Sequence, residues 1–579
     1  MKYTSDFETT TDPRDCHVWA YGICEIGNPN YFTYGNNIDD FLKFCEKSNN
    51  ATFYFHNLKF DGEFIMVRLF ELGFKHVIDK KELDTKTFTT LISNKGQHYS
   101  IKIVFSKKGK RTNSVTIYDS LKILPFSVKQ IAKGFNLPFQ KGEIDYDSHN
   151  GVITPITDEE LDYLKRDVVI VAMALDTIFK QGLEKMTQGS NALFDYKRTV
   201  TQKRFDRWFP IPDYDQEVRY SYKGGFTYLN PKYKELDIEE GVVLDVNSLY
   251  PSVMHDKPLP YGEGIYFEGQ YKDDTLYNLY VQRLSCQFEL KPNHIPTIQL
   301  KRYLGFIPTE YLTSSGDEEV TMTLTSVDLE LFFEHYEVYN IEYLSGWKFK
   351  STIGLFTEYI DKWTKVKIES KENDNYAMYI LAKLMLNALY GKFATNPNIQ
   401  SKIPYYDNGM IKYYDGEKDT KNPIYIPVGT FVTAWARYKT ITSAQTVYDR
   451  FVYADTDSLH LVGTELPSNL DIDPVKLGAW DNEATFKRAR FLRQKSYYES
   501  HIVSDKKFAK MEEVEKTKCY ILDGVRVIDK ITCAGLPESC YEFVTWENFR
   551  VGSSYSGKLQ MQHVKGGIVL KEIDFSIKM

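Results

Sequence analysis

"FVYADTDSLHLV", residues 451–462, sets two aspartates, Asp455 and Asp457, one residue apart between apolar arms. Asp, Thr and Ser close turns by bonding their own backbone, so the central residues alone describe only a turn. The arms make it a hairpin, with strands over Phe451–Ala454 and Leu459–Val462 and both carboxylates at the tip. Two acids held together at a strand tip repel each other unless something positive joins them. The rest of the chain decides whether it does.

Upstream, "VLDVNSLYP", residues 243–251, ends a β-branched run in Asp245, so a strand delivers a third carboxylate to its own end, where the chain turns at Pro251. Asp245, Asp455 and Asp457 together make an oxygen-rich site of the kind Mg²⁺ takes with substrate phosphates. Two such ions about 3.5–4 Å apart activate an attacking oxygen and stabilise a leaving one, which is the chemistry of nucleotidyl transfer. A triphosphate needs further cations. In "KLMLNALYG", Lys383, Asn387 and Tyr390 fall on one helical face, opposite a core of Leu384, Leu386 and Leu389. Lys383 suits a phosphate, Asn387 and Tyr390 a nascent base pair, and Lys371 near the preceding turn a second phosphate. In "RQKSYY", Lys495 and Tyr497 point the same way on a strand and suit the primer backbone, while Tyr222, Gly224 and Gly225 of "YSYKGGF" let a backbone pass close to a phosphate.

The N-terminal part repeats the logic. Asp6 and Glu8 of "TSDFETT" share one face of a strand, Asp61 follows in "FHNLKFDGEF", and Tyr163 and Asp167 stack one turn apart in "DYLKRD". Four acids and a phenol are the groups a two-metal hydrolysis needs, the carboxylates to hold ions and the tyrosine to orient water.

Composition limits the alternatives. The 579 residues exceed what one core supports, so several domains are expected. A net charge of -7 leaves no global basic footprint, and a polyanion must be held by local patches, with residues 107–111 and the run Lys487 to Lys495 as candidates. Seven cysteines without a C-x-x-C pair suggest neither a disulfide framework nor a zinc cluster. No apolar leader and no membrane-length apolar run is present, so a cytoplasmic, non-membrane protein is expected.

The ordered set DxxSLYP, KLxLNxLYG, YxDTDS and KxY resembles motifs A, B, C and Lys-x-Tyr of family B DNA polymerases. D-x-E, N-x-x-x-D and Y-x-x-x-D resemble the three exonuclease motifs of their proofreading members. With YxGG, the chain from residue 5 to about 575 is similar to the protein-primed polymerases of small Bacillus phages. The resemblance implies a multidomain α/β and α+β fold: an RNase H-like 3'-5' exonuclease domain (1–187), palm (188–256 and 424–522), fingers (357–395) and thumb (523–579). Two palm insertions, 257–356 (loop-rich) and 396–423 (a hairpin), are expected to contact a priming protein and to enclose DNA. It further implies Asp245, Val246 and Asp457 as metal-binding, with Asp455 close by, and Ser248, Leu249 and Tyr250 at the nucleotide, Tyr250 rejecting a 2'-hydroxyl. In the exonuclease, Asp6, Glu8, Asp61 and Asp167 hold metal; His56, Asn57, Phe60, Ser120 and Leu121 hold the single-stranded end; Lys141 and Tyr146 assist. Implied cofactors are two Mg²⁺ per site, with Mn²⁺ as substitute. Implied partners are primer-template DNA, dNTPs and a terminal protein, in a monomer or a heterodimer within an infected bacterial host. Ala388 departs from the family, where many relatives carry Ser. The alternatives weigh less: a plain nuclease predicts a damaged Asp245, Asp455, Asp457 triad, a scaffold predicts loss of both clusters, and a DNA-primed repair or plasmid polymerase differs only in needing no terminal protein.

Overall fold

The computed structural model describes residues 1–138, 140–142, 144–151, 155–299 and 311–578; part of the expected 257–356 insertion lies outside the described residues. The N-terminal part is built on an eight-stranded mixed sheet. Its centre runs Val18–Glu25, Lys2–Thr9, Thr52–Phe55, Arg111–Asp119. The last three of these strands are mutually parallel. Alternation decides which side each residue serves. Tyr3 and Phe7 enter an aromatic core, Phe7 meeting Phe41 and Phe55 edge-on. Thr4, Asp6 and Glu8 take the opposite parity, the face crossed by the helix Asp158–Phe179, where Thr4 Oγ1 donates to the Val168 carbonyl at 2.8 Å. That helix starts on a capping box, Thr157 with Glu160, and its buried apolar run explains its length.

A nine-stranded sheet carries the second cluster. Gly241–Val246 lies between Ser458–Val462 and Trp480–Arg493, with Asp245 opposite Ser458 on one side and Asp481 on the other. Its first residue must be glycine on space alone: a Cβ there would sit 2.2 Å from the Leu461 carbonyl oxygen. The long helix Ile426–Thr446 is buried along most of its length and packs against this sheet. Beyond the strand the expected turn at Pro251 is instead the first turn of a helix, Leu249–Asp256, because proline's fixed φ and missing N–H suit a helix start.

The helices Thr357–Glu372 and Tyr376–Phe393 form an antiparallel pair, joined by Asn373–Asn375 with Asp374 left-handed and the Asn375 side chain capping the second helix. Met385 rather than Leu384 shares the buried stripe with Leu386 and Leu389, Leu384 being only half-buried. The block read as loop-rich is instead ordered by cross-strand pairing. Its described residues form a four-stranded sheet, Leu259–Glu268, Tyr336–Thr352, Leu279–Leu290 and Val320–Thr325, with a helix Ser326–His335. Alternating buried residues such as Val281, Leu284, Cys286 and Phe288 supply that order. A hairpin, Asn398–Asp407 with Met410–Thr420, and a C-terminal ribbon, Ser554–Val564 with Gly567–Ser576, extend from the body.

Candidate active sites

The opening hairpin pairs Phe451–Asp455 with Ser458–Val462, and Thr456 takes a left-handed φ of 62° at its tip. The tip is fastened from several sides. Thr456 N–H donates to the Phe226 carbonyl at 2.6 Å, Thr440 Oγ1 donates to the Thr456 carbonyl at 2.7 Å, and Val246 N–H donates to the Asp457 carbonyl at 2.8 Å. The last bond ties the hairpin to the end of the Asp245 strand. Gly225 belongs to the same clamp. A Cβ on it would lie 2.7 Å from Thr456 Oγ1, so this glycine makes room for the hairpin, while Gly224 faces open space.

The two acids of the tip have different surroundings. Asp455 is saturated: it accepts from Thr227 Oγ1 and Tyr453 Oη, each at 3.2 Å, and pairs with Lys495 Nζ at 3.2 Å. Asp457 is pushed up by burial and by Asp455 and Glu483, against its own backbone hydrogen bond and the pull of Lys495. Asp245 is pushed up to about 7 by burial, then by Asp457, Glu483 and Asp481 against Lys530. Asp245 and Asp457 thus form a half-buried pair of repelling carboxylates with a deficit of positive charge. Glu483, which the motif reading missed, sits with them, its Oε1 3.5 Å from Lys530 Nζ. Only strand pairing with Asp245's neighbours could have flagged it.

Around this pair Tyr250 and Tyr390 stack with ring centroids 4.0 Å apart. Lys383 and Asn387 are exposed on the outer helical face, as their spacing requires, and Leu249 begins the helix beside Ser248. Lys371 stands exposed in the last turn of its helix, and Lys367, one turn earlier, joins it by reaching Ser248 Oγ at 3.4 Å. Burial, then Lys383 and Lys371, pull the Lys367 ammonium down, the signature of clustered cations without their anion. One expectation is corrected: Lys495 and Tyr497 do not share a strand face, since Lys495 is the left-handed turn residue (φ 56°) before Ser496–Ile502, and Tyr497 is buried, stacked on Phe491. Tyr222 packs at the edge of the core that Tyr250 and Tyr390 also border. The basic run after Lys487 is largely consumed internally. Lys487 pairs with Glu240, and Arg490, 1% exposed, with Asp237.

In the N-terminal cluster, strand Lys2–Thr9 brings Asp6 and Glu8, the first turn of helix Leu58–Glu71 brings Asp61, and helix Asp158–Phe179 brings Tyr163 and Asp167. All four carboxylates are buried or nearly so and all are pushed up, chiefly by burial. Asp6 reaches about 7, further raised by Asp167; Glu8 is raised by Asp6, and Asp61 likewise. Asp61 Oδ1 and Asp167 Oδ1 are buried without a hydrogen-bond partner. Among the described residues Lys141 supplies the one cation in contact, its Nζ 2.8 Å from Asp167 Oδ2. The Tyr163 hydroxyl meets that of Tyr146 at 3.0 Å. A cleft of about 120 Å³ is lined by Asp6, Tyr54, His56, Lys141 and Asp167.

At its edge His56 is fixed through Ser120 Oγ at 3.0 Å and the Phe126 carbonyl at 2.7 Å. Ser120 is fully buried and donates to the Phe55 carbonyl, so it orients His56 rather than opening to solvent. Asp119, not singled out from sequence, accepts from the N–H groups of Asn57 and Leu121, each at 3.0 Å, and holds Asn57 in its left-handed φ of 77°. Phe60 is half-buried beside Phe64. Among the described residues, no three His, Cys, Asp or Glu side chains already stand at metal-ligand spacing. The charge deficit is present all the same.

A family model described as DNA polymerase type B, organellar and viral, matches residues 43–158 and 154–473. The chain is 49% identical to the DNA polymerases of Bacillus phages B103 and phi29 across its whole length and 99% of theirs. It is 31% identical to that of Streptococcus phage Cp-1, over all of this chain and 98% of that one. Among solved structures, phi29 DNA polymerase complexed with primer-template DNA and incoming nucleotide substrates is similar at 48% identity, with a TM-score of 0.92 over 100% of both chains.

Proposed function

Because the chain belongs to the organellar and viral type B DNA polymerases, and among them to the Bacillus-phage polymerases, we propose that it extends DNA at Asp245 and Asp457, removes mispaired 3' ends at Asp6, Glu8, Asp61 and Asp167, and starts synthesis from the hydroxyl of a terminal protein. On this reading residues 1–187 are an RNase H-like exonuclease, 188–256 and 424–522 the palm, 357–395 the fingers and 523–579 the thumb, with 257–356 and 396–423 as insertions that meet the priming protein and the DNA. The partners are primer-template, dNTPs and the terminal protein, in the cytoplasm of an infected host.

The observation that carries the reading is that two separate sets of carboxylates are buried together with too little positive charge. Such burial is costly unless a cation joins them. The donors fit a hard divalent ion: they are all oxygens, and Asp61 Oδ1 and Asp167 Oδ1 are buried without partners. Asp245, Asp457 and the Val246 backbone would hold Mg²⁺ in one site, and Asp6, Glu8, Asp61 and Asp167 in the other, Mn²⁺ being a substitute. When bound, the ions supply charge stabilisation for in-line displacement at phosphorus.

The side chains do the rest. Lys371 and Lys383, with Lys367 beside them, neutralise the triphosphate, and the Tyr250 ring, braced by Tyr390, closes the space a 2'-hydroxyl would occupy. Asp455 anchors Lys495 at the turn before the primer-facing strand. In the N-terminal site Tyr163 and Lys141 orient the attacked phosphate and its water. Lys141 bonds Asp167 until a substrate phosphate offers it a second anion.

Asp457→Asn with Mg²⁺ is expected to abolish primer extension while degradation of single-stranded DNA continues. Extension near the normal rate would reject the palm assignment. Incubation with dNTPs, Mg²⁺ and a candidate terminal protein on its origin DNA should give a covalent protein-nucleotide adduct; extension of DNA primers without any adduct would leave a DNA-primed polymerase.

A further inference from the structure

The N-terminal site owes two of its polar groups, Lys141 and Tyr146, to a segment with little regular structure of its own. Its described residues 144–151 form no helix or strand. Even so, the Tyr146 hydroxyl meets that of Tyr163 at 3.0 Å, and Lys141 Nζ meets Asp167 at 2.8 Å. Tyr146 is 50% exposed, so its own packing does not hold it. The fixed point lies three residues on. His149 is 3% exposed, and its ring lies flat on that of Trp19, with centroids 3.8 Å apart and planes at 11°. Its Nε2 donates to Glu160 Oε1 at 3.0 Å.

Neither Trp19 nor Glu160 belongs to the acid cluster, yet each comes from an element that builds it. Trp19 lies on the strand Val18–Glu25, which pairs with the strand of Asp6 and Glu8. Glu8 pairs with Ala20 and Thr9 with Val18, so Trp19 is the extra residue of a bulge beside Glu8, and a bulge re-aims the side chain it carries. Glu160 opens the helix Asp158–Phe179 that bears Tyr163 and Asp167, and its second oxygen accepts from the Thr157 N–H at 2.9 Å as half of the capping box. Further contacts close around this joint. Ser148 Oγ also donates to Glu160 Oε1 at 3.0 Å, Ile144 packs against the cluster of Trp19, Ala20 and Leu164, and Asn150 Oδ1 accepts from the Thr11 N–H at 2.9 Å. One buried imidazole thus joins strand, helix and segment, and none of these contacts is with an acid of the cluster.

We propose that His149 is a positioning residue of the N-terminal site: stacked on Trp19 and bonded to Glu160, it holds Tyr146 against Tyr163, and Lys141 with it, in the geometry that aims water at the terminal phosphodiester. The inference rests on the exonuclease reading above. The stack fixes the plane of the imidazole and the hydrogen bond fixes its rotation within that plane, so the backbone at residue 149 has one docked arrangement. Two hydrogen-bonded turns, Asn150 N–H to the Asp147 carbonyl at 3.1 Å and Ser148 N–H to the Asp145 carbonyl at 3.4 Å, carry that fixation back to Tyr146. The hydroxyl's position matters because a misplacement of about 1 Å costs on the order of a hundredfold in rate.

The test compares His149→Ala, His149→Gln and Tyr146→Phe on one 3'-labelled single strand. In single-turnover degradation with Mg²⁺, His149→Ala should lose about a hundredfold in rate while affinity for the strand stays within about twofold. His149→Gln, whose amide nitrogen takes the place of Nε2 toward Glu160, should return to within about fivefold of the wild type. Tyr146→Phe should lose a similar factor on its own. His149→Ala combined with Tyr146→Phe should then lose no more than the worse single variant, because both act through one hydroxyl. Primer extension should stay within about twofold throughout, since its site shares no side chain with this one. Multiplied losses in the double variant, weakened strand binding in place of a slower rate, no recovery in His149→Gln, or a parallel loss of extension would each overturn the proposal. Absence of 3' degradation by the wild type would instead overturn the exonuclease reading.

Discussion

Within the hairpin tip, one intervening residue separates two acids whose roles diverge through their neighbours. Asp455 is saturated by Thr227, Tyr453 and Lys495, and Asp457 is left facing Asp245. The lysines beside Ser248 act as a group. Lys367 reaches its hydroxyl, and Lys383 and Lys371 stand near enough to pull the Lys367 ammonium down, so Lys371→Ala and Lys383→Ala should each raise the KM for dNTPs by roughly 10- to 100-fold, the worth of a charge-assisted contact. Steady-state kinetics on one primer-template measures it; an unchanged KM in either variant would reject that residue's phosphate contact. Tyr250, stacked 4.0 Å from Tyr390, has no freedom to swing aside, so Tyr250→Val should admit ribonucleotides in single-turnover incorporation, and unchanged sugar discrimination would reject the steric role.

Elements hold these residues in place, and here the sequence was legible in a particular way. Spacing located the hairpin and the helices that carry Lys383 and Asp167, because each buries one consistent face. It misplaced Lys495, because where a strand gives way to a left-handed turn residue is set by tertiary contact. Glu483, Asp119 and Lys367 carried no motif at all and become visible only through pairing across the sheet or packing between helices. Glu499 is another such residue. Fully buried behind the hairpin, it accepts from His460 Nδ1 at 2.6 Å and His501 Nε2 at 2.8 Å, and so fastens the strand Ser458–Val462 to Ser496–Ile502. Burial pushes Glu499 up, yet the attraction and hydrogen bonds of the two histidines outweigh it and bring it down to about 2. A depressed carboxylate stabilises the fold above its ordinary range near 4.5 and loses that contribution as pH falls toward 2. Glu499→Gln should therefore cost about 3 kcal/mol near neutrality, and the gap between variant and wild type in chemical denaturation should shrink below pH 4.5. A gap independent of pH would show that Glu499 acts through packing alone.

At the scale of the molecule, two acid clusters sit on two different sheets and share no side chain. The Asp6 cluster is assembled from the first strand and two helices of the eight-stranded sheet, the Asp245 cluster from three neighbouring strands of the nine-stranded one. Sites with no common partners respond to substitution almost independently. Asp6→Ala with Asp61→Ala relieves a repulsion, since both carboxylates are pushed up by burial, Asp6 further by Asp167 and Asp61 further by Asp6, so the fold should tolerate the change. Their loss removes ligands that several kcal/mol of transition-state stabilisation depend on, and degradation of single-stranded DNA should fall by about a thousandfold. Extension should continue at its normal rate, and with nothing to remove a mispaired end, misincorporation should rise. Both are measured on one preparation, by release of nucleotides from a 3'-labelled single strand and by sequencing products made with unbalanced dNTPs. Persistent 3' degradation would remove the N-terminal acids from that chemistry. A parallel loss of extension would show that the two sheets are coupled more tightly than their separate side-chain sets imply.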